Sequence, residues 1–306
     1  MRTGHGYSGC HHGELLQGFF RGPGGTPRPG LVTLPSPAAG VHARFRPDPE
    51  LTGVTVHPPG RTKAARAAGL ALRRVTPPGA PWGGRLRLAG PVTPGLGMGS
   101  STADVVAAVR AVADACGAVP DPHTVARIAV AAEGASDPLM FDDPAARLFA
   151  QRDGVVVEVL GPSLPPLLVL GCLLDGGRPV DTPAGEPAVP AARLVDAYEE
   201  LRDRLRAALA VGDPAGVAAV ATRSARLHRT DDQLDRLLAA AEVPGVLGVQ
   251  IAHSGSVAGL LVDPAGADPA VVVERADRAL RATGLAVTGP FVVGTGSAAV
   301  AAGACR

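Results

Sequence analysis

The densest run of residues able to do chemistry is Pro91-Val-Thr-Pro94-Gly95-Leu96-Gly97-Met98-Gly99-Ser100-Ser101-Thr102-Ala103-Asp104. Its glycines let the backbone turn tightly and come close to a ligand. The apolar positions that follow, Val105, Val106, Val109, Val112, Ala113 and Cys116, recur at helical spacing. The loop therefore delivers the chain into a helix whose first turn offers unpaired N–H groups and the positive end of a dipole. Ser100, Ser101 and Thr102 add hydroxyl donors, or oxygen ligands for Mg2+. That is the chemistry of a phosphate cradle. The plainer alternative is a Gly-rich turn whose hydroxyls only cap the helix. The run is neither a Walker loop, since no Gly-Lys-Ser/Thr follows, nor G-x-G-x-x-G.

Glu133 and Asp137 are the acidic candidates. They stand four residues apart at the end of a predicted helix and in the turn after it, so both carboxylates can face one pocket. A solvated helix end and an Asx-turn aspartate are the plainer alternative, and Asp142 and Asp143 compete for the same role. His5, Cys10, His11 and His12 suggest a metal, but a strand sends His11 and His12 to opposite sides and no second ligand pair follows. For the late run Val293-Gly-Thr-Gly-Ser297, phosphate binding and a plain C-terminal turn are both open, the turn being favoured. With no G-x-S-x-G present, a hydrolase elbow is excluded.

The elements that must position these residues follow from periodicity and turn signals. Strands are expected at Gly13–Arg21, Leu31–Leu34, Val41–Arg46 and Gly53–Val56, then a helix at Thr62–Arg74 and a strand from Arg85 to Ala89. A helix over Ser101–Cys116 precedes a second one, with Asp121 as N-cap and Pro122 in its first turn. Strands at Gly154–Leu160 and Leu167–Leu174 flank a Pro-rich turn, where a domain boundary is placed. Beyond it come helices near Ala191–Ala210, Pro214–Leu227 and Asp231–Ala241, a strand pair within Val246–Val262, a helix at Pro269–Thr283 and a strand at Ala286–Val293. Strands and helices in both halves predict a two-domain α+β or α/β protein.

At 306 residues the chain is long enough for two domains, and 46% apolar residues suffice to fill their cores. A net charge of +1 argues against nucleic acid or an anionic membrane as partner. Lys63 is the only lysine among 29 basic residues, a hint that arginine would not serve there, though an ordinary solvated lysine is the simpler reading. Forty glycines and thirty prolines predict many turns. Cys10, Cys116, Cys172 and Cys305 lie far apart, which predicts no disulfide framework. With no apolar run of membrane-spanning length and no signal-type core after Met1, a cytoplasmic location is expected.

The loop resembles the GHMP kinase family, whose phosphate loop reads P-x-x-x-G-L-G-S-S-A; Pro91–Ala103 matches it with the pair Met98-Gly99 inserted. Within the family the likeness is to the L-threonine kinase branch, linked to assembly of the cobalamin side arm. That branch's loop reads G-x-G-M-x-S-S-T-A-D, and Gly95–Asp104 fits it without a gap. Three further segments agree, in the family's order. His12-Gly13-Glu14-Leu-Leu-Gln17-Gly18 resembles its opening C/H-G-E-L-x-Q-G, and Ser136-Asp137-Pro-Leu-Met-Phe141 its S/T-D-x-x-M-F. Ala252–Leu261 resembles its late A-H-S-G-S-V-x-G-L-L.

The resemblance implies an α+β GHMP architecture: a ribosomal-S5-domain-2-like nucleotide-binding domain over residues 1–163 and a ferredoxin-like domain over 164–306. It implies Mg-ATP-dependent phosphorylation of the side-chain hydroxyl of a free amino acid, L-threonine first. Another hydroxylated amino acid of specialised metabolism, homoserine, or a catalytically silent ligand-binding protein are the alternatives. ATP would lie on Pro94, Gly95, Leu96, Gly97, Met98, Gly99, Ser100, Ser101 and Thr102, within reach of Lys63. Ser101 and Glu133 would hold Mg2+, and Asp137 would act on the acceptor hydroxyl. Gly13, Glu14, Gln17, Asp181, Ser254, Gly255 and Ser256 would line the acceptor side, with a turn-capping role equally open for Asp181. A homodimer is compatible with the family. Two departures stand out: no lysine precedes the first signature in Gly6-Tyr-Ser-Gly-Cys-His11, where several members place one to support the aspartate, and Glu133-Gly-Ala-Ser136 carries an extra residue.

Overall fold

The computed structural model describes residues 2–22, 24–75, 83–91, 95–179 and 188–294. Two long antiparallel strands, β1 (Gly4–Arg21) and β2 (Pro27–Asp48), form its spine. Both are longer than expected. β1 begins at Gly4 because its first glycines serve close packing rather than turns. A Cβ on Gly4 or Gly6 would fall 2.1 Å from the carbonyl oxygens of Ala111 and Ala107 in the helix above. β2 runs on through Pro35, opposite His11, in a stretch where the pairing register shifts. A proline is tolerated there because the ladder is already broken.

The remaining strands of the first half are β3 (Val54–His57), β4 (Gly83–Ala89), β5 (Ala146–Ala150) and β6 (Val155–Gly161). Those of the second are β7 (Leu167–Leu173), β8 (Val246–Ile251), β9 (Val257–Val262) and β10 (Ala286–Val293). They join in one sheet of order β10-β7-β9-β8-β1-β2-β4-β3, with β5 pairing β2 and β6. β1 meets β8 through Glu14 opposite Ile251. Only β3–β4 is parallel among the paired strands described.

Helices α1 (Thr62–Val75), α2 (Ser100–Ala115) and α3 (Pro122–Glu133) cover the first half. α2 is buried almost all round, its alanines and valines filling a core with Val41, Phe45, Leu86 and α1's Ala64, Ala68 and Leu72. In the second half α4 (Ala192–Val211) and α5 (Pro214–His228) close a core around Leu15, Phe20, Leu148 and Leu167. There α6 (Asp232–Ala240) and α7 (Pro269–Ala282) close another around Leu170, Cys172 and Leu260. The α+β class expected from the sequence is the one observed, and Asp121 caps α3 by accepting the N–H of Thr124. Cys10, Cys116 and Cys172 form no disulfide. No described helix is long and apolar enough to cross a membrane.

Candidate active site

The glycine loop meets α2 as its composition requires. Gly99 is the N-cap, in the left-handed region at φ 66° and ψ 24°, and no side chain caps the helix. No acidic residue lies in its own first turn either, so the first N–H groups of α2 are left without a side-chain cap. Gly97 also has a positive φ, of 86°. The Leu96 carbonyl accepts the N–H groups of Ser256 (3.0 Å) and Val257 (2.8 Å). A Cβ on Gly97 would sit 2.6 Å from the Ser254 oxygen, and one on Gly255 2.4 Å from the Gly97 nitrogen. Ser254, Gly255 and Ser256, expected along the acceptor side, thus clasp the backbone of the phosphate-type loop, and the buried Ser256 hydroxyl turns to the Arg178 carbonyl at 3.4 Å.

The two acidic candidates arrive from α3. Glu133 is the last residue of that helix, closed by Gly134 at φ 86°, and Asp137 stands in the following turn. Ser101 Oγ donates to Glu133 Oε2 at 2.7 Å. Thr102 Oγ1 lies 2.9 Å from Glu133 Oε1 and 3.3 Å from Asp137 Oδ2. The turn is pinned by the Ser136 N–H on the Gln151 carbonyl (2.8 Å) and by Arg110 of α2 on the Met140 carbonyl (3.0 Å). Arg110 also pairs with Asp142 at 2.9 Å, and Asp143 pairs with Arg147. Both rivals of Asp137 are thus engaged by arginines at the surface, away from Ser101 and Thr102.

Burial pushes Glu133 up to about 7, against the opposing hydrogen bond from Ser101. A carboxylate so uncomfortable without a counter-ion, touching a serine hydroxyl at a helix N-terminus, is a donor set that suits Mg2+. The uncapped N-terminus of α2 likewise suits phosphate. Asp137 goes the other way: burial would raise it, but the His11 imidazole beside it holds it below the usual carboxylate range.

His11 was not expected to touch this site. Its Nε2 stands 3.1 Å from Asp137 Oδ2, an ion-pair approach off the line of a straight hydrogen bond, and has no other partner. Its Nδ1 lies 3.3 Å from the Gly13 carbonyl and 3.7 Å from Glu14 Oε1. The only hint in the sequence was the alternation that separates it from His12. His12 does face the other way, with Nδ1 2.8 Å from Gln250 Nε2 and its ring edge-on to Phe291.

Glu14 and Gln17 are buried at the β1–β8 junction. Glu14 accepts the His253 N–H, and Gln17 Oε1 faces His253 Nδ1 at 2.9 Å. Gly13, at φ 70°, has the Gln250 side chain where a Cβ would go. Of these three, Glu14 comes within 4.8 Å of Asp137, while Gly13 meets the His11 ring and Gln17 meets His253. Lys63 is exposed in the first turn of α1, next to Arg61, which pairs with Asp104 of α2 at 2.6 Å. Pro94 and Asp181 lie outside the described residues.

Residues 63–150 match the family model described as GHMP kinases N terminal domain. Among solved structures, a homoserine kinase from Cytophaga hutchinsonii is similar at 16% identity with a TM-score of 0.64, over 96% of this chain and 95% of that one. The Streptococcus pneumoniae phosphomevalonate kinase gives 13% identity and a TM-score of 0.63 over 96% and 99%. The L. major mevalonate kinase in complex with R-mevalonate gives 18% and 0.58 over 96% of each chain. No curated protein matches the chain by sequence. Residues 63–150 thus resemble the N-terminal domain of GHMP kinases, and the chain has the fold of these kinases.

Proposed function

We propose that this protein is an ATP-dependent phosphotransferase that phosphorylates the side-chain hydroxyl of a free amino acid, L-threonine first. The observation that carries the reading is the meeting of Ser101, Thr102, Glu133 and Asp137 at the uncapped N-terminus of α2. Mg-ATP, when bound, supplies the transferable phosphoryl group and the charge that offsets its oxygens. The residues of the chain do the rest. The N–H groups of the loop and of the first turn of α2 hold phosphate oxygens, and Ser101 with Glu133 would hold the Mg2+. Asp137, ionised at neutral pH, accepts the proton of the acceptor hydroxyl as its oxygen attacks. The family domain and the kinase neighbours support a small-molecule hydroxyl kinase. L-threonine rests on the loop Gly95–Asp104 and the three companion segments. Homoserine is the second reading, favoured by the similarity to a homoserine kinase fold.

The deciding experiment is ADP release from Mg-ATP against L-threonine, L-allo-threonine, L-serine and L-homoserine. Stereoselective turnover of L-threonine supports the first reading, and preference for L-homoserine the second. Silence across the panel, with Mg-ATP still raising the melting temperature, overturns both.

A further inference from the structure

A carboxylate sealed among buried groups tends to take up a proton and lose its basicity. Asp137 is bordered by Glu133 and by Glu14, both lifted by burial, the latter to about 8. Something must hold it ionised.

The candidate is His11, whose ring is buried and has acceptors on both sides. Nδ1 faces the Gly13 carbonyl and Glu14, while Nε2 faces Asp137 Oδ2. A neutral imidazole has one N–H and one lone pair, so one ring nitrogen would turn its lone pair on an oxygen acceptor. An imidazolium donates on both sides. His11, Glu14 and Asp137 gather their ligating atoms within 4.8 Å, a spacing at which one positive charge serves both carboxyl groups. The groups facing the ring are Glu14 on its own strand and Asp137 on the turn after α3; His12, on the other side of the strand, acts on it only through space, and His253 also acts on Asp137. His12 is held neutral by burial, as is His253. His11 is therefore the positive charge at Asp137 among the groups that face it.

Two contacts fix the orientation. Thr102 and His11 both approach Oδ2, which leaves Oδ1 as the oxygen for the acceptor. Gly99 covers the ring: a Cβ there would lie 2.6 Å from His11 Nε2.

We propose that His11 is a positioning residue for phosphoryl transfer: clamped between Glu14 and Asp137, it is the cation that keeps the Asp137 carboxylate ionised and turned toward the acceptor hydroxyl. The proposal rests on the reading of Asp137 given above, and its test separates the two. In protein labelled with 15N-histidine, the His11 signals are identified by their loss in His11→Gln. Both ring nitrogens should be protonated at pH 7.5, and Asp137→Asn should lower the ring's titration midpoint by about one pH unit or more. A His11 ring found neutral at pH 7.5, or one indifferent to Asp137→Asn, overturns the proposal whatever the enzyme does. In the kinetic arm, His11→Gln should lower kcat by about 30-fold or more while KM for Mg-ATP changes by less than about twofold. The acid limb of its kcat profile should move to higher pH, because Asp137 loses its cation, and His11→Lys should restore part of both. A normal acid limb in His11→Gln refutes the idea. If His11→Gln does not fold, His11→Asn identifies the signals by their loss, and the midpoint in Asp137→Asn decides alone. A protein that phosphorylates none of the four amino acids but shows the expected ring titration refutes the function and leaves the His11 charge standing.

Discussion

The Asp137 N–H donates to Thr102 Oγ1 at 3.2 Å, and the single proton of that hydroxyl is shared between Asp137 Oδ2 at 3.3 Å and Glu133 Oε1 at 2.9 Å. The first turn of α2 and the turn after α3 are joined by this pair, so the anion-binding end of one helix and the carboxylate beyond the other hold a fixed distance. This sharing ties both acidic residues to one hydroxyl.

Thr102→Val keeps the shape of the side chain and removes the link. Hydrogen bonds to charged groups are worth roughly 1.5–3 kcal/mol each. The variant should unfold at lower temperature and lose about 10-fold or more in kcat, read by thermal melts and ADP release. A variant with normal turnover would show that the pair only decorates the site.

Asp137→Asn keeps the size and removes the base. Its kcat should fall by about 100-fold, the usual scale for general-base loss. Mg-ATP should still raise the melting temperature, since the loop and α2 are untouched. Full turnover in a folded variant would reduce Asp137 to a hydroxyl holder.

Ser101→Ala and Glu133→Gln remove the oxygen pair assigned to Mg2+. Both should raise the Mg2+ concentration needed for half-maximal activity by about 10-fold or more, with little change in KM for the amino acid. The assignment is rejected if the acceptor KM moves instead and the Mg2+ requirement does not.

Gly99→Ala places a Cβ at φ 66°, where an L-residue costs about 1–2 kcal/mol, and drives it into the His11 ring at 2.4 Å. Loss of stability and of ATP binding should appear together in melts with and without nucleotide. A variant that melts and binds like the wild type would contradict the packing of Gly99 on His11.

The buried histidines make stability pH-dependent on both sides of neutrality. Burial depresses His12 and His253 to about 4, so the unfolded chain binds protons that the folded one refuses as pH falls below 6.5. Stability is lost from there down to about pH 4. His11 is the opposite case: burial would lower it, but Asp137 and Glu14 raise it to about 9. Its contribution is complete below pH 6.5 and disappears as pH rises through about 9. Glu133 and Glu14, raised by burial to about 7 and about 8, keep protons in the folded chain that the unfolded one releases above about pH 4.5. They offset the histidine slope below pH 6.5 and add to the loss above it, so the melting temperature should fall from pH 6.5 upward. His253→Asn should flatten the acid side only, and an unchanged acid slope would rule out that histidine as its source.

Much of this was legible in the residues. The glycine loop running into α2, the Asp121 cap and the helices of the second half follow from spacing and turn chemistry, which are local properties of the chain. Glu133 and Asp137 were picked out by type and separation, and the structure brings both onto Ser101 and Thr102 despite the extra residue between them. β5, five residues after a Pro- and Asp-containing turn, was missed because it owes its form to pairing with β2 and β6 rather than to its own pattern. The start of β1 was missed because glycine reads as a turn signal, whereas Gly4 and Gly6 are there to let α2 approach.

What the sequence determined by itself is the set of elements and the acidic and hydroxyl residues at their ends, because helix caps, periodicity and glycine conformation depend on neighbours along the chain. What only the tertiary structure decided is which of those residues meet. Asp142 and Asp143 compete with Asp137 as alternatives in the sequence; in the structure they pair with Arg110 and Arg147, while Asp137 meets Thr102 and His11. His11 was one histidine of eight, until the pairing of β1 and β2 and the docking of α2 set its ring beside a carboxylate 126 positions away along the chain. Charge pairing across such distances leaves no periodic trace, since its partners are chosen by packing and not by spacing.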